Sequence, residues 1–217
     1  MIRVKICCIA SIAEAQMAID SGASAIGLVG KMPSGPGPIP DELIREIAFS
    51  IPPPLATFLL TSETTPENIA SHHSRTLTST IQIVDMPVKG TYERLRVLLP
   101  SVKIVQVVHV MDEGSVETAL SISDEVDALL LDSGNPTLKV KELGGTGRVH
   151  NWKLSREISK NSKCPVFLAG GLNPQNVIQA IEEVDPFGID VCSGVRTGGA
   201  LDRGKLKEFM GNAFSIR

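Results

Sequence analysis

Eight short runs rich in valine, isoleucine and leucine pass along the chain, and after each comes a segment whose apolar residues recur every three or four positions. No other feature narrows the fold as far. Near-continuous apolar runs suit strands buried on both faces, and the helices between them supply the cover such strands need. The runs are VKICCI (4–9), SAIGLV (24–29), LATFLL (55–60), STIQIV (79–84), KIVQVV (103–108), VDALLL (126–131), CPVFLA (164–169) and GIDVCS (188–193). The segment SIAEAQMAIDSG (11–22) has a helical period, with Gly22 as its stop. Further helices are expected to begin near Pro40, Pro66, Gly90, Gly114, Asn151 and Asn173, and DRGKLKEFM (202–210) to close the chain. Eight strand and helix pairs within 217 residues match the lower size range of an α/β closed (β/α)8 TIM barrel. An open doubly wound sheet is the alternative. No linker, low-complexity tract or repeat marks a boundary, so residues 1–217 are expected to form a single barrel domain.

Composition removes several classes of function. With 21 Lys and Arg against 24 Asp and Glu, the net charge of −3 gives no basic field, which argues against nucleic acid as a partner. No apolar run approaches the roughly 20 residues of a membrane span, and the start of the chain lacks a signal-peptide pattern. Cys7, Cys8, Cys164 and Cys192 are spaced neither as metal knuckles nor as a disulfide framework. They read as reduced thiols, so a cytoplasmic protein is expected. Monomer and homodimer both stay open, because an exposed apolar helix face and a core face look alike in sequence.

In a barrel of this kind the chemistry sits where the loops after the strands gather. The side-chain period of two puts Val4, Ile6 and Cys8 on one face of the first strand and Lys5 and Cys7 on the other. The apolar set must face the helices. Cys7 is therefore expected to point into the barrel mouth, as a packed thiol or a reactive one, and Cys8 to pack outward as a small hydrophobe. On the sixth strand Ala128, Leu130 and Asp132 share a face, which brings a carboxylate to the same mouth as a capping or a functional acid. Lys5 is expected in an ion pair on the barrel floor. His72 and His73, among Ser71, Ser74 and Arg75, are expected on a solvated helical face rather than in a metal site, and His109 ends the fifth strand, either facing the mouth or simply closing it.

Glycines follow the last three strands: GGTG (144–147), AGG (169–171) and SG (193–194). Glycine lets backbone amides approach an anion closely, and barrels commonly build a phosphate pocket from the loops after strands seven and eight with a short helix N-terminus. Each loop alone reads as an ordinary turn; together they point to a phosphorylated ligand.

With KIC at the first strand end, LLLDS at the sixth, then GGTG and NW, LAGGLNPQNV and DVCSGV, the chain resembles the phosphoribosylanthranilate isomerases of tryptophan biosynthesis, in order and over nearly its whole length. The resemblance implies a small-molecule phosphoribosyl substrate, an Amadori rearrangement and no metal or organic cofactor. It also implies Cys7 as general base and Asp132 as general acid, with phosphate contacts around Gly145, Gly147, Gly170, Gly171, Ser193 and Gly194. Opening an aminofuranose requires a proton on the ring oxygen, and turning the resulting imine into an enamine requires loss of the proton at sugar C2. One acid and one base must therefore flank the sugar, each worth ~10²–10⁴ in rate. For those roles Cys7 needs local positive potential, for which Lys5 is a candidate that lies deep in the barrel, and Asp132 needs a raised pKa.

The chain departs from the family pattern in places. Asn151 replaces an aspartate before Trp152, which conserves an N-cap. In PSGPGPIP, Gly37 falls roughly where the family has an arginine for the anthranilate carboxylate, a bond worth about 1.5–3 kcal/mol; Lys31 in the same loop is the candidate substitute. Gln82, Ile83, Val84 and Asp85 stand for Q-L-H-G, Cys8 stands for a glycine, and Arg196 for a frequent glutamate. A paralogous barrel acting on, or merely binding, another sugar phosphate is therefore the alternative function.

Overall fold

A computed structural model describes residues 2–216 apart from 136, 139, 142 and 144–146. Eight parallel strands, β1 (Arg3–Ile6), β2 (Ala25–Val29), β3 (Ala56–Thr61), β4 (Thr80–Ile83), β5 (Lys103–His109), β6 (Ala128–Asp132), β7 (Val166–Leu168) and β8 (Gly188–Val191), pair in sequence order. The ring closes where Ile6 of β1 meets Val191 of β8. The open-sheet alternative is thereby excluded. Helices follow each strand: α1 (Ile12–Asp20), α2 (Asp41–Ser50), α3 (Pro66–Thr76), α4 (Thr91–Leu98), α5 (Glu113–Ile122), α6 (Trp152–Asn161), α7 (Val177–Val184) and α8 (Arg203–Ser215). None among the described residues is long and apolar enough to cross a membrane.

The caps explain where several helices start. Ser11 accepts a hydrogen bond from the Glu14 amide at 3.2 Å, Asn151 accepts one from the Lys153 amide at 3.0 Å, and Asp202 takes the Gly204 and Lys205 amides at 2.9 and 3.1 Å. Asp112 and Ser115 form a reciprocal capping box on α5. Beyond β8 the chain adds a short 3₁₀ turn (Ser193–Val195) and a small hairpin of β9 (Arg196–Thr197) and β10 (Ala200–Leu201), neither expected from the sequence.

Strand alternation sorts the buried residues into two layers. Val4, Ile6, Ile26, Leu28, Ile83 and Leu131 belong to the shell between sheet and helices, while Phe58, Val105, Val107, Leu130 and Phe167 fill the barrel. Each large apolar side chain so buried contributes roughly 1.5–3 kcal/mol.

Two expectations are corrected. Cys8 does not pack outward with Val4 and Ile6: β1 ends at Ile6, and a left-handed backbone at Cys8 (φ 62°) breaks the alternation and turns the thiol toward Cys7. His72 and His73 are buried rather than solvated. Pro66, Ile69, His72, His73 and Thr76 make up the inward face of α3, so the imidazoles complete a stripe that has few apolar residues and must be hydrogen-bonded there. Nδ1 of His72 shares a 2.8 Å bond with the Thr61 hydroxyl and Nε2 lies 3.1 Å from Asp41, while His73 donates to the Thr78 carbonyl at 2.8 Å. Burial holds the His72 pKa below its usual value despite the Asp41 carboxylate beside it.

Candidate active site

The strand ends surround a cavity of about 690 Å³, open solvent at its mouth included. Cys7 enters it from the end of β1, Gln82 from β4, Asp132 from β6 and Asp190 from β8. The sulfur and the carboxylate anticipated from parity thus line one pit.

Asp132 ends β6 beside His109, its register partner on β5. The Ser133 amide donates to its Oδ1 at 2.7 Å. Burial pushes the carboxyl pKa up, and the Asp190 charge acts in the same direction, against the pull of the Ser133 amide, His109 and Lys5. A proton is therefore retained at Asp132 to higher pH than on a free carboxyl group.

Lys5 is fully buried, and its ammonium donates to Asp190 Oδ1 at 2.9 Å. Burial works against its charge, but Asp190 first and Cys7 second outweigh that cost and hold its pKa above the ordinary value. Lys5 is also less remote from the thiol than residue spacing suggests, because the long side chain runs up the barrel interior. A Cβ placed on Gly27 would stand 2.8 Å from Cys7 Sγ and 2.9 Å from Lys5 Nζ. Gly27 on β2 thus leaves the space in which ammonium and thiol approach each other.

Gly147, Gly170, Gly171 and Ser193 line the same cavity. Gly170 and Gly171 both take left-handed backbone conformations, with φ +81° and +66°. Gly171 needs to be glycine: its φ is +66°, and a Cβ would come within 2.6 Å of the Arg148 backbone. Gly194 supports the site from behind, packed on the Leu172 backbone, while Gly145 lies outside the described residues. Lys31 is exposed and outside the cavity lining, its carbonyl accepting from the Ser62 hydroxyl at 3.1 Å. The β2 loop presents Met32, Ser34 and Pro36 to the cavity instead. No group of three His, Cys, Asp or Glu among the described residues is arranged to hold a metal ion.

The family model for N-(5'-phosphoribosyl)anthranilate isomerase matches residues 40–212. The enzyme named N-(5'-phosphoribosyl)anthranilate isomerase 2 of Methanosarcina mazei is 34% identical over 97% of this chain and 93% of its own length. The chain belongs to this isomerase family. A relative from Methanocella arvoryzae is 33% identical over 90% of this chain and 89% of its own. Among solved structures, phosphoribosylanthranilate isomerase from Thermotoga maritima superposes with a TM-score of 0.82 at 31% identity, each chain fully covered. An isomerase of the family in complex with reduced 1-(o-carboxyphenylamino)-1-deoxyribulose 5-phosphate superposes with a TM-score of 0.79 at 29% identity, again over both whole chains.

Set in this family, the site shows what its departures do. Arg196 binds back into the fold, with Nη1 and Nη2 each 3.0 Å from Glu14 and Nη2 donating to the Cys8 carbonyl at 2.5 Å. Asp85 forms an ion pair with Lys141 outside the lining of the cavity that holds Cys7, and His109 donates to the Val84 carbonyl at 3.0 Å. Among the described lining residues no lysine or arginine is found; Ser34 of the β2 loop lines the same cavity as the glycines.

Sequence reasoning missed Gln82, Asp190 and Cys192 as lining residues. Gln82 is buried, lines the cavity, and its Oε1 has no partner among the described residues. Strand parity could have found all three, since Gln82 alternates with Ile81 and Ile83, and Asp190 and Cys192 with Ile189 and Val191, whose side chains face the helices.

Proposed function

We propose that this chain catalyses the Amadori rearrangement of N-(5-phosphoribosyl)anthranilate to 1-(2-carboxyphenylamino)-1-deoxyribulose 5-phosphate in tryptophan biosynthesis. Asp132, whose hold on its proton is strengthened by burial, gives that proton to the furanose ring oxygen as the nitrogen lone pair displaces the C1–O bond, leaving an open-chain protonated imine. Cys7 takes the proton from C2, and the electron pair of that C–H bond moves to make the enamine, which tautomerises to the ketose. Lys5 places a positive charge beside the base during the step that makes the sulfur give up and take protons. Gly147, Gly170, Gly171 and Ser193, with Gly145 and Gly194, hold the phosphate and so fix the sugar between sulfur and carboxyl.

The observation that carries this reading is the placement of Cys7 and Asp132 in one cavity with the glycine loops. The enzyme acts as one barrel domain, monomeric or homodimeric, on a small molecule in the cytoplasm, where its free thiols stay reduced. Loss of fluorescence from freshly made substrate tests the roles. Cys7→Ala and Asp132→Asn should each slow the reaction by ~10²–10⁴. Rates like those of the unaltered enzyme in both variants would reject the assignment.

A further inference from the structure

Three thiols meet at one side of the mouth. Cys7 and Cys8 come from the end of β1 and Cys192 from the end of β8, and all three line the cavity. The rearrangement uses only Cys7. Cys192 is partly exposed to the opening, whereas Cys8 is buried behind it. We propose that Cys8 and Cys192 form a modification site for two-electron oxidants of the hydroperoxide class, which join them in a disulfide and close the active site.

The geometry supports such a link. β1 and β8 are neighbours, the last register pair is Ile6 with Val191, and the Cys7 amide extends that ladder to the Val191 carbonyl at 2.8 Å. Cys192 therefore stands level with Cys7 and one step from Cys8. Adjacent strands lie ~4.8 Å apart, and disulfides bridge Cα atoms ~4.4–6.8 Å apart. The left-handed backbone of Cys8 turns its sulfur to this side, where it interacts with both Cys192 and Cys7. The Arg196 guanidinium, held by Glu14 and by the Cys7 and Cys8 carbonyls at 3.3 and 2.5 Å, adds positive charge. The Cys8 hydrogen bond, and next the Arg196 charge, lower the Cys192 pKa against the effect of burial, whereas Cys8 is held in its thiol form. One sulfur is thereby prepared to attack and the other to resolve.

In the first step the Cys192 thiolate attacks the peroxide, the O–O bond breaks, and hydroxide or alkoxide leaves with a sulfenic acid on Cys192. Cys8 sulfur then displaces that hydroxyl, the S–S bond replaces the S–O bond, and the Cys8 proton leaves with the hydroxyl as water. Two thiols lose two electrons to one peroxide, and an external dithiol reverses the change. The crosslink joins the residue after the base Cys7 to the residue before Ser193 of the phosphate loop. It also removes the Cys8 thiol proton, which now goes to the Pro36 carbonyl at 3.8 Å, and with it one contact of the β2 loop.

The full chain should be titrated with hydrogen peroxide while free thiols, non-reduced peptide maps and isomerase rate are followed. The expected result is loss of two titratable thiols in step with loss of activity, a peptide around Cys8 joined to one around Cys192, and recovery of both readings with dithiothreitol. Because Cys7 shares a peptide with Cys8, the same map is made on Cys7→Ala, where the link should persist, and on Cys8→Gly and Cys192→Ser, where it should vanish. A link that survives Cys8→Gly, or inactivation without any link, overturns the proposal. The crosslink is read without turnover, so its outcome is separate from that of the isomerase assay.

Discussion

Gly37 rests against Cys8: a Cβ at position 37 would stand 2.7 Å from Cys8 Cβ and 3.1 Å from its sulfur, on a backbone with φ +89°. The two positions are occupied in a complementary way. Cys8 presents a side chain where position 37 has none. The left-handed φ of 62° at Cys8 also explains why glycine suits that position.

This contact predicts coupling between the two sites. Gly37→Ala should destabilise the fold by about 1–3 kcal/mol through overpacking and backbone strain. In a Cys8→Gly background the same change should cost less, because the opposing Cβ is gone. A double-mutant cycle by urea unfolding should give an interaction of about 0.5–3 kcal/mol; strict additivity would mean the contact carries no energy.

The barrel itself was legible because eight strands buried on both faces leave eight apolar runs, and no other signal is as redundant. Cys7 and Asp132 were legible for a related reason: a period of two carries a polar residue at a strand end to a known face. That logic failed at Cys8, one residue past the last paired position of β1, where φ changes sign and alternation no longer holds. It fails at His72 and His73 because polarity does not imply exposure: Thr61, Asp41 and Thr78 satisfy those rings inside. The Arg196 contact with Glu14 spans most of the sequence and leaves no local pattern to read.

Lys5 and Asp190 form an ion pair within the barrel, with side chains 0% and 9% exposed. Asp190→Asn should leave a buried ammonium without its counter-charge and cost about 3–5 kcal/mol in urea unfolding. The double variant Lys5→Met with Asp190→Leu should recover most of that loss, since an apolar pair suits the interior. If the single variant loses no more than the double, the pair contributes nothing.

Asp132 illustrates the cost of an acid kept for chemistry. Its folded pKa is raised, so at neutral pH the unfolded chain ionises this carboxyl more readily and the fold is penalised. Asp132→Asn should therefore raise Tm in calorimetry while lowering activity by ~10²–10⁴. In the unaltered enzyme kcat should fall as pH rises through the raised Asp132 pKa, and this limb should be absent from the residual rate of the variant. A variant that melts lower would remove burial as the origin of the shift.

Glu14 gathers Arg196, the Leu201 amide at 2.9 Å and the Ala10 amide at 3.0 Å around one carboxylate, and so ties the β10 hairpin to the end of β1. Burial alone would raise its pKa, but the Arg196 bond and the two amides hold it below the ordinary 4.5. A carboxyl whose folded pKa is depressed stabilises the fold above its unfolded pKa, and that contribution is lost as pH falls through the folded value. Glu14→Gln should cost about 1.5–3 kcal/mol at neutral pH, the range for hydrogen bonds to a charged group. The gap between the two proteins should then narrow as the solution is acidified below about 4.5, because the unaltered protein loses its carboxylate there and the glutamine variant has none to lose. Urea midpoints measured across that range decide it: a gap that stays constant with pH would show that the carboxylate charge at Glu14 does not hold the hairpin to the mouth of the barrel.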